Sequence, residues 1–475
     1  TFSVPSVSAP TITSIDIPTG NYGSGDTVAV TVTFSELVNV NLNGGTMTLK
    51  LNVGGSEVLA EYASGSGTTA LTFDYSASGA IDKDGITVVA DSINLNSANI
   101  RNAANENAEL TYAAQTFASA TIDAPFDLSK VTKIWFDATD VDGDGDTTDQ
   151  NIGDEVTRLV DKSGNGNDVT ETIGRGRPEL QVHSTTNGNM ALYFDSSTDG
   201  DGLSAGKNPN LGNLGYSYFV SASVPFGHAN GSGNYGTLFG TKDAGFNGVG
   251  MLVRPGGGGF HLHSFISNGT SGGVNTGSIS TTKSVLASDS ALPGQSRTFS
   301  SDGNETSLTA LTNLVAGKDI TVGYQNGSTH DFKNGYVNEI LYFKRALSDA
   351  EKRVVENYLT AKWDNDLTSD KDFYSGDTSA NGDYDYNVTG IIKLINSNVA
   401  AGSQGGLTIT NGNTDGYLKD TGDAVFVGNK GLGSSTADLP SGVANVRSDT
   451  VWYFDATDAA TAGGQINLGF DLGQL

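Results

Sequence analysis

The sequence predicts an all-β protein built from several domains, and three observations point to this class. Residues 27–34 and 70–75 are two of several runs in which apolar and polar side chains alternate, a pattern typical of half-buried strands. Clusters of glycine, serine and asparagine separate these runs at the spacing of a β-sandwich. The 475 residues also exceed the length of one ordinary domain and indicate about two to four domains.

The composition narrows the classes of partner. The formal net charge of −27 gives an acidic surface that repels nucleic acid and anionic lipid, so neither is expected as a partner. No window approaches 18 consecutive apolar residues, so no membrane insertion is expected. The chain contains no cysteine, and bound calcium is therefore expected to supply the rigidity that disulfides give to other secreted proteins. The first residues lack the basic region of a signal peptide, so none is expected. Residues 466–475 stop on an alternating pattern without a polar tail, so we expect a piece of a larger protein that is monomeric as a fragment.

Residues 1–122 form the first predicted segment and contain β-strands throughout. The segment resembles the immunoglobulin-like modules repeated along large bacterial surface adhesins. The resemblance lies in Gly25-Asp26, residues 34–36, residues 62–67 and residues 105–110. In such modules acidic residues at the ends often hold calcium. The candidates here are Asp82, Asp84, Asp91 and Asp123. For each of them, an ordinary turn aspartate is the stronger interpretation.

The second predicted segment, residues 123–370, opens with an acidic loop. Asp140, Asp142 and Asp144, followed by Gly145, match the opening of an EF-hand calcium loop. The twelfth position is Asn151 instead of glutamate, and residues 131–136 look like a strand, so we predict a calcium loop on a β scaffold. The candidate ligands are Asp140, Asp142, Asp144, Asp146, Asp149 and Asp154. The alternative is a solvated acidic loop without a metal.

The rest of this segment predicts further strands and one helix. The strands are expected at residues 190–194, 216–222, 250–254, 319–324 and 335–343. Ser348 and Glu351 form a capping box, and the apolar residues from Val354 to Leu359 follow at helical spacing, so a helix is expected to dock on a sandwich face.

The order of motifs in this segment carries a specific resemblance. Four stretches carry it: residues 135–138 (Trp-Phe-Asp-Ala), the polar turn at residues 161–167, residues 339–343 (Glu-Ile-Leu-Tyr-Phe) and residues 345–363. In this order they resemble the concanavalin A-like, laminin-G-type jelly-roll domains of secreted bacterial proteins. The resemblance implies two packed antiparallel sheets with loops along one rim. Members of this family bind glycans or proteins, and some are only structural.

Residues 371–475 form the third predicted segment, which resembles the β-sandwich module that commonly follows such jelly rolls. Asp377, Asn381, Asp383 and Asp385 form a second cluster of candidate calcium ligands, and Asp383 and Asp385 are expected to share one face of a strand. Solvated turn residues are the equally weighted alternative. If the first and third segments pair in space, the middle one would be an insertion, which the sequence leaves open.

Catalysis is not expected. The Glu-x-Asp-x-Glu strand signature of jelly-roll glycoside hydrolases is absent, and Glu339 is the one glutamate inside a convincing strand of the second segment, where a local hydrogen-bonding role is expected. His261 and His263 lie two residues apart on one strand face and form a candidate zinc pair, although a polar face or ligand pocket is the stronger interpretation. The candidate ligand-binding residues are Tyr235, Arg254, His261 and His263.

Taken together, the motifs resemble the ligand-binding regions of RTX-type bacterial adhesins. The resemblance implies a calcium-dependent adhesion module at the bacterial cell surface that binds an extracellular glycan or peptide through the jelly-roll loops. Two alternatives stay open, namely a structural spacer without a ligand of its own and, less favoured, a glycan-degrading enzyme with two facing carboxylates.

Overall fold

The computed structural model confirms the all-β, multi-domain class. It describes residues 8–43, 45–195, 200–206, 215–225, 236–241, 247–256, 259–268, 272–275, 282–291, 296–308, 319–324, 331–395, 397–412, 416–431, 434–435, 447–448, 450–460 and 463–471. Nearly all the regular structure in this part of the chain is strand. No helix among these residues is both long enough and apolar enough to span a bilayer.

The first eleven strands form an eight-stranded sheet and a three-stranded sheet. They are β1 (Ile12–Asp16), β2 (Gly20–Gly23), β3 (Thr27–Asn41), β4 (Thr48–Val53), β5 (Ser56–Ser64), β6 (Thr68–Ser76), β7 (Ala80–Asp82), β8 (Ile86–Val88), β9 (Asn99–Arg101), β10 (Gln115–Phe117) and β11 (Ala120–Ala124). The larger sheet has the order β1-β3-β6-β5-β4-β8-β10 with β9 beside β3, and the smaller has the order β2-β11-β7. The alternation in β3 and β6 directs side chains such as Val30 and Phe73 into a shared core, as the sequence predicts.

The strands of the second group of elements, apart from β12, form two eight-stranded sheets. It comprises β12 (Phe126–Asp127), α1 (Leu128–Val131), β13 (Ile134–Asp137), β14 (Arg158–Leu159), β15 (Val169–Glu171), β16 (Glu179–Val182), a 3-10 turn (Ser184–Thr186), β17 (Met190–Phe194), β18 (Leu203–Ser204), β19 (Tyr216–Ser223), β20 (Gly236–Gly240), β21 (Asn247–Gly256), β22 (Gly259–Asn268), β23 (Gly272–Asn275), β24 (Val285–Ala291), β25 (Arg297–Ser301), β26 (Asn304–Leu308), β27 (Thr321–Val322), β28 (Gly335–Phe343) and α2 (Asp349–Trp363).

One of these sheets has the order β16-β17-β28-β19-β24-β25-β26 with β13 beside β28, and the other has the order β14-β15-β18-β27-β20-β21-β22-β23. The described pairings within both sheets are antiparallel. Every residue of β28 is buried. The predicted strands at residues 190–194 and 335–343 coincide with β17 and β28.

The remaining strands form two four-stranded sheets and a short hairpin. They are β29 (Tyr386–Leu394), β30 (Ser397–Val399), β31 (Ala401–Gln404), β32 (Leu407–Asn411), β33 (Ala424–Asn429), β34 (Ser434–Ser435), β35 (Arg447–Ser448), β36 (Trp452–Thr457) and β37 (Ile466–Phe470). One sheet has the order β30-β29-β33-β36. The other has the order β12-β31-β32-β37, in which β12 from before the jelly roll pairs in parallel with β31 from after it.

Helix α2 begins where the capping box predicts. The Ser348 hydroxyl accepts a hydrogen bond from the Glu351 backbone N–H, and the Glu351 carboxylate accepts one from the Ser348 backbone N–H. The burial of α2 extends beyond the apolar face that the sequence indicates, because nearly all the residues of α2 are buried. The reason is that β29 and β30 cover the helix in addition to the jelly roll, and the Ala350 N–H donates to Ser397 Oγ at 3.1 Å.

The described residues contain two large apolar cores and one small one. One large core belongs to the first segment. The other is a single cluster of buried side chains whose first and last members are Phe126 and Phe426, and it joins the jelly roll to β29 and β33. The first segment is held against α2 by a hydrogen bond from Ser78 Oγ to Glu351 Oε1 at 2.9 Å. The predicted boundaries at residues 122 and 370 stay predictions.

Candidate cation site and neighbouring groove

Two chain segments that meet at the end of β13 build the candidate site. The loop that contains the predicted calcium ligands leaves β13 directly, and the polar turn at residues 161–167 packs against it, since Val160 N donates to the Val141 carbonyl at 2.8 Å. The Asp161 carboxylate organises this turn by accepting hydrogen bonds from Trp135 N at 2.9 Å and from Asn167 N at 3.0 Å. Burial and these bonds fix the turn, so the next residue, Lys162, points at the acidic loop.

Asp140, Asp142 and Asp144 come together as the motif predicts. One carboxylate oxygen from each residue lies within 4.8 Å of the other two, and no other described group of three acidic or histidine side chains gathers in this way. Asp142 and Asp144 are exposed, whereas Asp140 is only 1% exposed and its Oδ1 has no hydrogen-bond partner among the described residues. Gly145 has φ +87°, the left-handed conformation that the sharp turn requires.

A line of alternating charges connects Asp140 to the core. Lys162 Nζ lies 2.7 Å from Asp140 Oδ2 and 3.0 Å from Asp137 Oδ2, while Lys362 Nζ lies 2.7 Å from Asp137 Oδ1 and 3.0 Å from Glu339 Oε2. Burial would raise the pKa of Asp137, but the two ammonium groups hold that pKa below its ordinary value. Burial would lower the pKa of Lys162, but its two carboxylate partners raise it. We call Asp140, Lys162, Asp137, Lys362 and Glu339 the charge chain.

The other predicted ligands of this loop lie outside the group of three. Asp146 accepts hydrogen bonds from Thr148 Oγ1 at 2.7 Å and Thr148 N at 2.8 Å, which lower the pKa of Asp146. Asp154 accepts one from Asn151 N at 3.1 Å and closes a turn of its own. Desolvation, followed by the negative charges of the other loop carboxylates, raises the pKa of Asp149.

The second predicted cluster does not have the expected strand geometry. Asp383 has φ +56°, and β29 begins only at Tyr386, so the expectation that Asp383 and Asp385 share one strand face is wrong. Asn381 instead closes the turn, donating from Nδ2 to the Ser375 carbonyl at 2.8 Å. Burial, and then the charges of Asp372 and Asp385, raise the pKa of Asp377 to about 7, while burial raises that of Asp385 to about 6. Their role as metal ligands stays a prediction.

Two of the four candidate aspartates in the first segment accept hydrogen bonds from the backbone. Asp82 accepts hydrogen bonds from Gly54 N at 2.8 Å and Gly85 N at 2.9 Å, and Asp91 accepts one from Tyr112 N at 2.6 Å. These contacts are typical of turn aspartates.

The predicted ligand-binding residues are described only in part. Tyr235 and the side chain of His263 lie outside the described residues. Arg254 and His261 face each other across the β21–β22 hairpin as a register pair, and both are partly buried. No described group of three potential metal ligands includes His261.

Glu339 is fully engaged in the core. Its Oε1 accepts hydrogen bonds from Trp135 Nε1 and Tyr358 Oη, each at 2.7 Å, and its Oε2 accepts one from Trp363 Nε1 at 2.8 Å. The carboxylate is 0% exposed. A hydrogen-bonding role was predicted for Glu339, but the partners include residues far along the chain.

A groove of about 410 Å³ lies beyond the acidic loop and is lined by Glu155 and by residues 171–177. Arg177 bridges its two carboxylates, with Nη1 at 2.6 Å from Glu155 Oε2 and Nε at 2.5 Å from Glu171 Oε2. The Arg175 guanidinium stacks 4.0 Å above the Tyr324 ring. Ile173, in the same groove, is fully exposed.

Two features of this region do not follow from the sequence. Lys162 was seen only as part of a polar turn, and its contact with Asp140 depends on the packing of that turn against the loop. The groove is not predictable from a motif, because residues 171–177 match no known binding signature and Glu155 reaches them only through the fold. The density of charged residues between Glu171 and Arg177 was the one signal that could have indicated it.

The fold and the carboxylate group define a multi-domain all-β protein with a candidate divalent-cation site. No family model and no curated protein matches the chain. Among solved structures, the binding domain of botulinum neurotoxin DC in complex with SialylT is 14% identical, covering 70% of this chain and 79% of that chain with a TM-score of 0.34.

Two further structures show similarly low scores. The botulinum neurotoxin serotype D ligand-binding domain in complex with N-acetylneuraminic acid is 12% identical, with coverages of 71% and 80% and a TM-score of 0.34. The Trypanosoma rangeli sialidase in complex with the inhibitor DANA is 11% identical, with coverages of 42% and 31% and a TM-score of 0.27. At such scores these likenesses assign no function to this chain.

Proposed function

We propose that this chain is a calcium-dependent adhesion module of a bacterial surface protein and binds an extracellular glycan or peptide at the rim of its jelly roll. The observation that carries the proposal is the group formed by Asp140, Asp142 and Asp144, in which a buried carboxylate retains an oxygen without a partner. Carboxylate oxygens are the ligands that calcium prefers, and a buried acceptor without a donor is costly unless a cation satisfies it.

The groove supports a ligand site that depends on this cation. The loop that begins at Asp140 ends at Glu155, which forms one wall of the groove. A cation that fixes the first half of the loop would therefore limit the positions open to Glu155. The groove combines an exposed apolar side chain, Ile173, with charged groups held by the Arg177 ion pairs, a mixture that suits the hydroxyls and apolar faces of a sugar or the side chains of a peptide.

Calcium binding is tested by thermal unfolding in millimolar calcium and in chelator. At ten times Kd a site stabilises the protein by about 1.4 kcal/mol. The double variant Asp142→Asn/Asp144→Asn should lose this calcium-dependent shift. The control Asp16→Asn/Glu106→Gln makes the same charge change at two exposed positions outside the loop and should keep the shift. Equal shifts in both double variants would contradict the proposed site.

Ligand binding is tested on an array of glycans and peptides, with calcium and with chelator. We expect saturable binding that requires calcium and falls in Asp142→Asn/Asp144→Asn. The Ile173→Ser variant should also lose binding, because it removes the apolar contact from the groove while leaving the cation site intact. Saturable binding that is equal in chelator would contradict calcium dependence, and its absence from every glycan and peptide tested favours the spacer.

The structural spacer is the second candidate, and the contacts between segments favour it. The Glu351 carboxylate accepts a hydrogen bond from Ser78 in the first segment and two from Arg345, each of the latter at 2.7 Å. Such contacts restrict motion between the segments, as a rigid spacer requires. An enzymatic role has less support, because Glu339 has all its acceptor positions taken by partners in the core. Incubating the array glycans with the protein and measuring released sugar tests for hydrolysis.

A further inference from the structure

Lys162 occupies an unusual position relative to the candidate cation site. Its ammonium contacts Asp140 Oδ2 at 2.7 Å and Asp137 Oδ2 at 3.0 Å, and its side chain is 21% exposed. Asp137 has a second cation, Lys362, at 2.7 Å, whereas the described residues give Asp140 no cation other than Lys162. The charge of Asp140 is therefore balanced by a single lysine.

We propose that Lys162 is a built-in counter-cation of the Asp140 site, which neutralises Asp140 when no divalent cation is bound and weakens the binding of calcium. This inference rests on the proposed function, because it concerns the affinity of the same site. Lys162 acts as a positioning residue: it contributes a charge beside the site and no ligand atom, since an ammonium cannot coordinate a cation.

Electrostatics gives the direction of the effect. A calcium ion bound to Asp140 lies about 2.3–2.6 Å from a carboxylate oxygen. Because the ammonium contacts the same carboxylate, the two positive charges would be about 5 Å apart in a region where solvent screens them poorly. Removing the ammonium should therefore strengthen calcium binding by about tenfold or more.

The same geometry predicts a reciprocal effect on folding. Without Lys162 and without calcium, Asp140 becomes a buried carboxylate with no counter-charge, so the protein should be destabilised. Asp137 keeps its ion pair with Lys362 and the hydrogen bond from Thr139 Oγ1 at 2.7 Å, so the destabilisation should come mainly from the unpaired Asp140 carboxylate. Calcium can replace the missing ammonium, so saturating calcium should restore most of the lost stability. A lysine with a purely structural role would give no gain in affinity.

The experiment measures the calcium affinity of the full chain by isothermal titration, and its unfolding in chelator and in saturating calcium. Lys162→Met removes the charge, and Lys162→Gln removes it while keeping a hydrogen-bond donor. Lys283→Met is the matched control, since Lys283 also contacts two aspartates, Asp364 at 3.0 Å and Asp366 at 2.9 Å. It lies in a different part of the chain and should keep the wild-type affinity within about twofold.

Tighter calcium binding in both Lys162 variants, with stability lost in chelator and regained in calcium, supports the inference. A variant that folds only in calcium also supports it. Unchanged or weaker affinity, or failure of both variants to fold in calcium, overturns it. The proposed function has a separate test, because a wild-type chain that binds no calcium contradicts it. If Lys162→Met alone binds calcium, the result still supports Lys162 as the counter-cation.

Discussion

Replacing Glu339 by alanine tests whether this carboxylate is structural. The side chain accepts hydrogen bonds from Trp135, Tyr358 and Trp363 at 2.7–2.8 Å and lies 3.0 Å from the Lys362 ammonium, all in the protein core. Removing one member of a buried ion pair costs about 3–5 kcal/mol. Each donor left without an acceptor costs about 1–3 kcal/mol, although these costs overlap. We therefore expect Glu339→Ala to lower the free energy of unfolding by about 5 kcal/mol or more.

Glu339→Gln should cost less, about 2–3 kcal/mol, because its amide oxygen still accepts while its NH₂ group faces another donor. Urea unfolding at 25 °C, followed by circular dichroism and tryptophan fluorescence, measures both losses. Glu171→Ala is the control, since this exposed carboxylate has only a surface ion pair and should cost less than about 1 kcal/mol. A catalytic carboxylate commonly reduces stability, so a neutral or stabilising Glu339→Ala would refute the structural role.

Three other predictions concern single positions. Burial raises the pKa of Glu61 to about 7, so the folded protein holds a proton that the unfolded chain loses near pH 4.5. The contribution of Glu61 to the free energy of unfolding therefore falls as pH rises from about 4.5 through 7. The free energy of unfolding of Glu61→Gln should therefore equal that of the wild type at pH 4 and exceed it at pH 8 by about 1–2 kcal/mol, after discounting for solvent screening. An equal difference between the two proteins at both pH values would contradict this. Gly323 has φ +83°, and a Cβ there would lie 2.0 Å from Phe194 Cε1, so Gly323→Ala should cost about 3 kcal/mol or more. Gly145→Ala, at φ +87° in open space, should cost only about 1 kcal/mol in the same urea titration, and equal costs would refute the steric argument. Ile173→Ser should change the unfolding free energy by less than about 0.5 kcal/mol, because the side chain is fully exposed, and a larger loss would mean that Ile173 supports the fold.

The sequence was informative wherever the signal is local. The capping box of Ser348 and Glu351 predicts the start of α2, and the apolar run at residues 335–343 predicts β28, because both depend on neighbours within a few residues. The convergence of Asp140, Asp142 and Asp144 is local in the same sense, since alternate residues of one curled loop share a side.

Features that depend on distant partners were not predictable. The parallel pairing of β12 with β31 joins residues more than 270 positions apart, and no periodicity indicates it. Asp383 was expected in a strand because its spacing from Asp385 fits one, but the left-handed backbone at Asp383 belongs to a turn that Asn381 stabilises. Likewise, the apolar spacing in α2 identifies one buried face, whereas its burial on all sides depends on β29 and β30 from a later part of the chain.

The distribution of apolar contacts indicates what calcium would control. The jelly roll shares one continuous core with β29 and β33, and the charge chain runs from Asp140 at the loop to Glu339, which is buried in this core. A contribution of about 1.4 kcal/mol per site at tenfold excess is small beside the burial of so many apolar side chains, but it is large for a single exposed loop. Chelation should therefore abolish ligand binding at the groove well before it unfolds the jelly roll. Simultaneous loss of binding and of circular dichroism during a chelator titration would show that the cation supports the whole fold.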